Sequence, residues 1–300
     1  MNIKCPNKEC SYHKASESRI NLFYKKGYFY RQSDRKWVQR FVCRCCGLTF
    51  SVATFSINYR QKKRHYNHRI ARELVAGVSQ RECHRILKLN RKTVVRKFIF
   101  MAEQAAKKIE ILNKKKNKVI TMQFDDLETF EHTKLKPLSV TLAVEEDTRH
   151  ILGFKVSEMP AKGLLVAKSL KKYGKRKDER RKSREALFKE ISPYIQPGCL
   201  IKSDENPHYI KDVRRHFKDS EHIRYKGGRG CVVGQGELKK LGFDPLFSLN
   251  HTCATLRARA NRLFRRTWCT TKKKERLALH LNLVVLHHNL NLKPPSFSPL

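Results

Sequence analysis

The stretch Val119-Ile120-Thr121-Met122-Gln123-Phe124-Asp125-Asp126 decides the fold of this chain. Its β-branched and apolar residues are typical of a buried strand, and the strand ends on two adjacent carboxylates. A second apolar run, residues 199–203, closes in the same way on Asp204. Carboxylates at strand ends lie at the edge of a sheet, where a cation and a substrate can reach them. The pattern therefore predicts that Asp125 and Asp204 bind divalent metal ions.

The elements between these two strands predict an α/β fold. Two further apolar runs, 138–144 and 150–156, follow the first strand, and we expect the three to form an antiparallel meander. A helix at about 161–173 precedes the strand that ends on Asp204. This order, with an acid on the first and the fourth strand, is that of a ribonuclease H-like core, which we predict over residues 119–292. Asp126 points to the opposite face if its strand continues, so it is the second choice as a ligand.

The composition favours a polyanionic partner. The 300 residues include 66 Lys and Arg against 27 Asp and Glu, which gives a formal charge of +39. Nucleic acid would relieve this charge, because each Lys or Arg that meets a phosphate releases a counterion. A membrane surface is the alternative, but no apolar run approaches the roughly 20 residues of a spanning helix, and the first residues show no signal peptide. We expect a cytoplasmic, DNA-associated protein whose ten cysteines bind metal or are buried thiols.

Residues 1–58 predict a zinc ribbon that precedes the core. Two close cysteine pairs lie on either side of an aromatic, strand-like sequence. Four thiolates suit tetrahedral zinc, and the metal would fold a module too small to bury its own core. Cys45 is a further thiol that could replace a neighbour, and unpaired structural cysteines are the alternative interpretation. The predicted ligands are Cys5, Cys10, Cys43 and Cys46.

Residues 62–100 predict a helix-turn-helix module. Ser79 is a natural N-cap with Glu82 three residues later, and the corner at Leu89-Asn90 separates two helices. In this motif the second helix enters the major groove, although a plain pair of packed helices is the alternative. The residues expected to contact bases or phosphates are Arg91, Lys92, Thr93 and Arg96. Residues 101–118 are interpreted as a basic linker.

The region beyond Asn250 predicts a long basic helix. An apolar stripe runs from Leu256 to Trp268, and arginines cover the other side, so we expect one side to pack and the other to meet phosphate. These arginines are Arg257, Arg259, Arg262, Arg265 and Arg266. Residues 275–290 predict a last helix, although their alternating leucines also permit a strand, and 293–300 predict a disordered tail. The charge run 175–184 is interpreted as a solvated helical face.

The predicted order of elements resembles that of transposases of the insertion sequence one group. This order is a zinc ribbon, a helix-turn-helix and a core whose first and fourth strands carry acids. The resemblance is sharpest in 255–269, which looks like that group's basic helix with Leu-Arg-x-Arg, Arg-Leu-x-Arg and Thr-x-Cys, and Asp125-Asp126 stands where the group has Asp-Glu. The resemblance implies a DDE-type enzyme of DNA transposition and recombination. Such an enzyme binds double-stranded DNA at the ends of an insertion element and joins them to a target. It uses Mg²⁺ or Mn²⁺ for strand cleavage and strand transfer, and acts as a homo-oligomer on DNA.

The third metal ligand departs from the group's pattern. The group has a Glu just before the basic helix, and that position falls on Asn250 here. An amide oxygen can still ligate magnesium, and related insertion-element transposases use Asn there. Asn250 as a simple helix cap is the rival interpretation, and Glu237, 33 residues after Asp204, is the other candidate ligand. If neither ligates, the copy is inactive.

Three alternative functions stay open at this point. A sequence-specific DNA-binding regulator would share the charge and the N-terminal modules but lack catalysis. Another metal-dependent DNA nuclease would share the core and differ only in its products. A structural RNA-binding protein would explain the charge, but it leaves the strand-end acids and the zinc ribbon without a task.

Overall fold

The computed structural model divides the chain into two compact units, Met1–Arg69 and Ile70–Leu300. Each unit has its own cluster of buried apolar residues. The residues that the structure describes are 3–14, 22–32, 35–226, 244–264 and 269–292. Within them the chain is a mixed α/β protein.

The smaller unit is built on a three-stranded antiparallel sheet. Its strands are β1 (Phe23–Arg31), β2 (Lys36–Cys43) and β3 (Thr49–Ser51), in the order β1-β2-β3. The core of this unit is small, and three of its six buried members are cysteines. Phe50 contacts two other phenylalanine rings there, with ring centroids 5.5 and 6.0 Å away. A core of this size supplies little hydrophobic stabilisation by itself.

Three helices follow, and the predicted N-cap Ser79 is confirmed for the second of them. They are α1 (Tyr66–Val75), α2 (Gln80–Ile86) and α3 (Arg91–Lys115). Ser79 caps α2 by accepting a hydrogen bond from the Glu82 amide at 3.1 Å. Asn90 caps α3 in the same way through the Lys92 amide at 2.8 Å. The turn between α2 and α3 is therefore fixed at the start of α3 by a side chain.

The interpretation of 101–118 as a linker is wrong, because most of this segment belongs to the 25-residue helix α3. Ala102, Ala105 and Ile109 are buried at spacings of three and four residues, so one face of the helix packs while the lysines occupy the other. Lys114 and Lys115 lie in its last turn, where cations interact favourably with the helix dipole. The many lysines of this segment led to the linker interpretation, although its apolar residues follow the spacing of an amphipathic helix.

A five-stranded mixed sheet forms the centre of the larger unit. Its strands are β4 (Val119–Phe130), β5 (Pro137–Glu145), β6 (Ile151–Glu158), β7 (Ile195–Asp204) and β8 (Glu221–Tyr225). The order is β6-β5-β4-β7-β8. The predicted antiparallel meander of β4, β5 and β6 is confirmed, and β7 and β8 run parallel to β4. Since β4 and β7 are parallel neighbours, their carboxyl ends reach the same edge of the sheet.

Helices pack on both faces of this sheet. They are α4 (Val166–Tyr173), α5 (Arg180–Ile191), α6 (Pro207–His216), α7 (Phe247–Arg259) and α8 (Lys274–Leu290). Phe124 on β4 contacts Phe188 of α5 and Tyr209 of α6, with ring centroids 5.0 and 4.8 Å apart. Gln123, on the opposite face, accepts a hydrogen bond from the Leu249 amide of α7 at 2.9 Å. The middle of β4 is thus covered on both faces. The prediction that this strand ends on Asp125 and Asp126 is wrong, because β4 continues to Phe130 in antiparallel pairing with β5.

Two further predictions are wrong, and the structure decides between the two alternatives for residues 275–290. The basic helix is shorter than predicted: α7 ends at Arg259 because Ala260 takes an extended conformation, and a 3-10 helix, Asn261–Leu263, follows. The charge run 175–184 is not a solvated helix, because α5 begins only at Arg180 and Arg184 is buried. Residues 275–290 are helical rather than extended. Among the described helices, no span is apolar over the length needed to cross a bilayer.

Candidate active site

Asp125 and Asp204 lie at the same level of neighbouring strands. In the parallel register of β4 and β7, Gln123 is opposite Lys202, and each aspartate lies two residues beyond this pair. Burial, together with the nearby charges of Asp204 and Asp126, raises the pKa of Asp125 to about 6, against hydrogen bonds that lower it. Burial also raises the pKa of Asp204. The two carboxylates are therefore close enough for one charge to oppose the other.

Two hydrogen bonds orient the Asp125 carboxylate. The Asp126 amide donates to its Oδ1 at 2.6 Å, and the Tyr209 hydroxyl of α6 donates to the same oxygen at 3.1 Å. In the described part of the chain, the Oδ2 atom of Asp125 receives no hydrogen bond. One oxygen is thus held by the fold, and the other stays available to a ligand.

Arg184 of α5 holds the neighbouring carboxylate. It is only 3% exposed, and its Nη1 lies 3.0 Å from Oδ2 of Asp126. Its Nη2 lies 2.8 Å from Oδ2 of Asp212 on α6, and its guanidinium lies over the Tyr209 ring at 4.7 Å. The Thr141 hydroxyl also donates to Asp126. Asp126 is therefore neutralised within the fold, which gives a physical reason for its place as second choice behind Asp125.

The remaining two carboxylates suit a divalent cation. Neither Asp125 nor Asp204 forms an ion pair with a residue that the structure describes. A partly buried carboxylate with a raised pKa beside a second carboxylate is the arrangement that a bound cation would stabilise. Oxygen ligands of this kind match Mg²⁺ and Mn²⁺. The residues present therefore fit the predicted metal.

Helix α7 passes beside this site. Burial raises the pKa of the Cys253 thiol to about 12, and the charge of Asp125 contributes to the rise. Asn250 lies three residues earlier in α7, on the same side of the helix. It is exposed, and its Nδ2 donates to Oδ2 of Asp244 at 2.9 Å. Because α7 begins at Phe247, Asn250 is inside the helix and the interpretation as an N-cap is wrong.

The four predicted zinc ligands come together in the smaller unit. Their sulfur atoms lie within 4.8 Å of one another, with Sγ–Sγ distances of 3.5 Å for Cys5–Cys46 and 3.8 Å for Cys10–Cys43. A tetrahedral zinc with bonds of about 2.3 Å requires sulfurs roughly 3.8 Å apart. Cys45 is exposed and outside this cluster. The cluster can hold a metal ion such as zinc.

One thiol of the cluster is prepared for ligation by the backbone. Burial alone would raise the pKa of Cys43, but hydrogen bonds from the Cys46 and Cys45 amides and from neighbouring thiols lower it to about 7. Burial raises the pKa of Cys5 to about 12. Because ligation requires thiolates, binding a metal here would release protons.

The predicted DNA-binding residues differ in their exposure. Arg91, Lys92 and Arg96 are exposed in the first turns of α3, and Thr93 is half-buried. In α7 and beyond, side chains are engaged within the fold: Arg259 contacts His287 at 3.1 Å, and Arg262 lies over the Phe98 ring at 6.0 Å. Burial lowers the pKa of Arg262 to about 10. Arg257 is half-buried. Residues Glu237, Arg265 and Arg266 lie outside the described residues.

Sequence reasoning missed Arg184, Tyr209 and Asp212. Arg184 was assigned to a solvated charge run, although it precedes Leu187 and Phe188 by three and four residues and so shares the buried face of α5. That spacing is the signal that identifies it. Tyr209 follows the Asp204 strand by five residues, in the first turn of the next helix, which is where a side chain can return to the strand end.

Comparison with known proteins adds no relative. No protein-family model matches this chain, and no curated protein matches its sequence significantly. The function is therefore argued from the residues and the geometry of the two sites.

Proposed function

We propose that this chain is a DNA transposase of the DDE type, similar to the insertion sequence one group, with Asn250 in place of the usual Glu. It would bind the ends of an insertion element and catalyse strand cleavage followed by strand transfer. The observation that carries the proposal is that Asp125, in the middle of β4, lies at the level of Asp204, the last residue of the parallel neighbour β7, in a strongly basic protein. Open α/β sheets bind their ligands at the carboxyl ends of parallel strands.

The sheet order supports a ribonuclease H-like core. Three antiparallel strands followed by two parallel ones, in the order β6-β5-β4-β7-β8, match the order expected for this fold. An acid then stands within the central strand β4 and at the end of its parallel neighbour β7. In such a core a substrate phosphate would approach the level at which β7 ends beside Asp125.

The helices before the core support DNA recognition. The α2–turn–α3 arrangement, with a cap at each helix start, is compatible with a helix-turn-helix whose recognition helix is α3. Arg91 and Lys92 are exposed at its start, where base edges and phosphates would be met. A zinc ribbon around the four cysteines would add a second DNA-binding module.

The chemistry assigns distinct roles to the residues of the site. Asp125 and Asp204 would hold magnesium, and Asn250 is preferred as the third ligand. Two bound magnesium ions would activate the attacking oxygen and stabilise the leaving oxygen of a phosphodiester. Tyr209 orients Asp125 through its hydroxyl, and Arg184 neutralises Asp126 beside it. The first attack would be made by water and the second by the 3′-hydroxyl of the cleaved strand.

The test uses the purified full chain and a duplex that carries the DNA flanking its gene, where inverted repeats would mark the element's ends. With Mg²⁺ or Mn²⁺ we expect nicks and then joining of 3′ ends to a target duplex. Asp125→Asn and Asp204→Asn should each reduce both reactions at least about 100-fold, since each removes a charged metal ligand. Glu221→Gln, an exposed acid at the start of β8, is the control and should keep activity.

Two outcomes would contradict the proposal. Cuts that never join to a target would identify another metal-dependent nuclease. A protein that binds the duplex and never cuts it would be a DNA-binding regulator, and the amide at position 250 is the observation that favours this second candidate, because it leaves the site one negative charge short.

A further inference from the structure

Four large aromatic side chains of the smaller unit are exposed on the hairpin of β1 and β2, and three of them lie towards its turn. Trp37 is 70% exposed, Tyr28 is 59% exposed and Tyr30 is 45% exposed. Tyr30 and Trp37 are directly opposite in the strand register, with ring centroids 5.4 Å apart and planes inclined by 61°. Large aromatic rings presented together to solvent mark a contact surface.

These aromatics share one face of the hairpin. Tyr28 and Tyr30 are two residues apart on β1, and Trp37 is the cross-strand partner of Tyr30. The core of the unit lies further along β2, where Phe41 and Cys43 are buried. The three rings are therefore not needed to fill that core. We call this face, formed by Tyr28, Tyr30 and Trp37, the aromatic hairpin.

The described residues around the aromatic hairpin carry only positive charge, while Asp34, between β1 and β2 in the sequence, lies outside them. Within residues 22–32 and 35–44, which the structure describes, there is no acidic side chain. The basic residues of these two segments are Lys25, Lys26, Arg31, Arg35, Lys36, Arg40 and Arg44. Such a surface repels a second copy of itself and is unlike a protein-binding surface, which is depleted of lysine. It complements a polyanion.

We propose that the aromatic hairpin binds single-stranded nucleic acid, with unpaired bases stacked on Trp37, Tyr30 and Tyr28 and phosphates neutralised by the surrounding lysines and arginines. Base stacking on exposed aromatic rings together with a basic surface is how proteins bind single strands without sequence preference. A duplex keeps its bases stacked inside, so it can use the charges but not the rings. This activity does not depend on catalysis or on magnesium.

The experiment compares the full chain with Tyr30→Ala/Trp37→Ala, without added magnesium. Fluorescence anisotropy measures binding of a labelled thymidine oligonucleotide of about 20 residues and of a duplex of equal length. The double variant should bind the oligonucleotide about 10-fold or more weaker, because stacking contributes about 1–3 kcal/mol per base, while duplex binding changes less than about 2-fold. Tyr59→Ala removes an exposed tyrosine of the same unit outside the hairpin and should bind both like the parent chain.

A second measurement decides the question even if the double variant loses its fold, which its zinc content would reveal. The chain has two tryptophans, so Trp268→Phe leaves Trp37 as the remaining emitter. Its fluorescence should be quenched by the thymidine oligonucleotide and not by an abasic oligonucleotide of equal charge. Equal loss of single-strand and duplex binding in a folded double variant, or no quenching of Trp37, would overturn the proposal.

Discussion

The two units of this chain differ in what holds them together. In Met1–Arg69 three of the four clustered cysteines are themselves part of the buried core, beside a few aromatic rings. In Ile70–Leu300 a five-stranded sheet is covered by helices on both faces, and its core consists mostly of aliphatic and aromatic side chains. The larger unit buries Arg184 with Asp212, whereas the smaller unit has little apolar core and four cysteines that could hold a metal ion.

The largest expected effect comes from removing the metal of the smaller unit. Cys43→Ser should abolish the site and unfold β1–β3, because zinc contributes roughly 10–16 kcal/mol in such modules, more than a small core supplies. Hydrogen exchange measured by mass spectrometry should show lost protection in β1–β3 and unchanged protection in β4–β8. Cys45→Ser, outside the cluster, is the matched control and should keep its zinc. Protection of β1–β3 in Cys43→Ser would show that the units do not differ in this way.

The second effect concerns the buried ion pairs of the larger unit. Arg184→Met leaves Asp126 without its ion-pair partner and Asp212 with Arg181 alone, so we expect a loss of about 3 kcal/mol in the free energy of unfolding. Denaturant unfolding measures this loss, and the zinc content should not change. Lys189→Met, an exposed position of the same helix, should alter stability by less than about 0.5 kcal/mol. A similarly small effect at Arg184 would mean that the core does not depend on this pair.

The third effect is the response of the larger unit to acid. The Nε2–H group of His150 donates to Asn113 Oδ1 at 2.8 Å, and burial with the nearby Lys116 charge lowers the pKa of His150 to about 4. The unfolded chain, with a pKa of about 6.5, binds the proton more strongly, so stability is present above that value and falls as the pH drops towards 4. Between pH 7.5 and pH 5 this histidine should account for about 2 kcal/mol.

The change His150→Gln isolates this contribution, since the amide can still bond to Asn113. The variant's free energy of unfolding should fall about 2 kcal/mol less than that of the parent chain over the same pH range, measured by denaturant unfolding. Identical pH dependence of the two proteins would assign the acid sensitivity to other groups.

The smallest effect on stability is expected at Tyr209. Tyr209→Phe removes one hydrogen bond to Asp125 and should cost about 1 kcal/mol, yet lower the proposed cleavage activity about 10-fold. Because that bond lowers the pKa of Asp125, the variant's activity should also rise at a higher pH than that of the parent enzyme. Tyr225→Phe on β8 is the control. An unchanged pH profile would show that Tyr209 only fills space.

Features encoded by short stretches could be predicted from the sequence. The two cysteine pairs predicted the cluster, since ligand spacing is local, and the four sulfurs do lie together. The apolar runs predicted β4, β5, β6 and β7, because a strand of a buried sheet is continuous in hydrophobic residues. The parallel pairing of β4 and β7 then places Asp125 beside Asp204, although β4 continues past Asp125 to Phe130.

Features that depend on long-range packing could not be predicted in this way. Arg184 is buried because it forms ion pairs with Asp126 of β4 and Asp212 of α6. These partners are distant in sequence, so no local pattern predicts both. The extent of α3 was missed because lysines dominate the composition of a segment whose buried side consists of small residues. The early end of α7 depends on one extended residue, Ala260, which itself packs in the interior.

The uninterrupted course of α3 sets a distance. At 1.5 Å per residue its 25 residues span about 37 Å, close to one turn of B-DNA. Its first turn presents Arg91 and Lys92, and near its last turn Asn113 donates to the carbonyl of Leu152 on β6 at 2.7 Å. In a protein that binds DNA as proposed, helix α3 fixes the distance between its first turn and the sheet. Arg91 and Lys92 would then contact DNA a fixed number of base pairs from the sheet. The protein would recognise the spacing within an element end as well as its sequence.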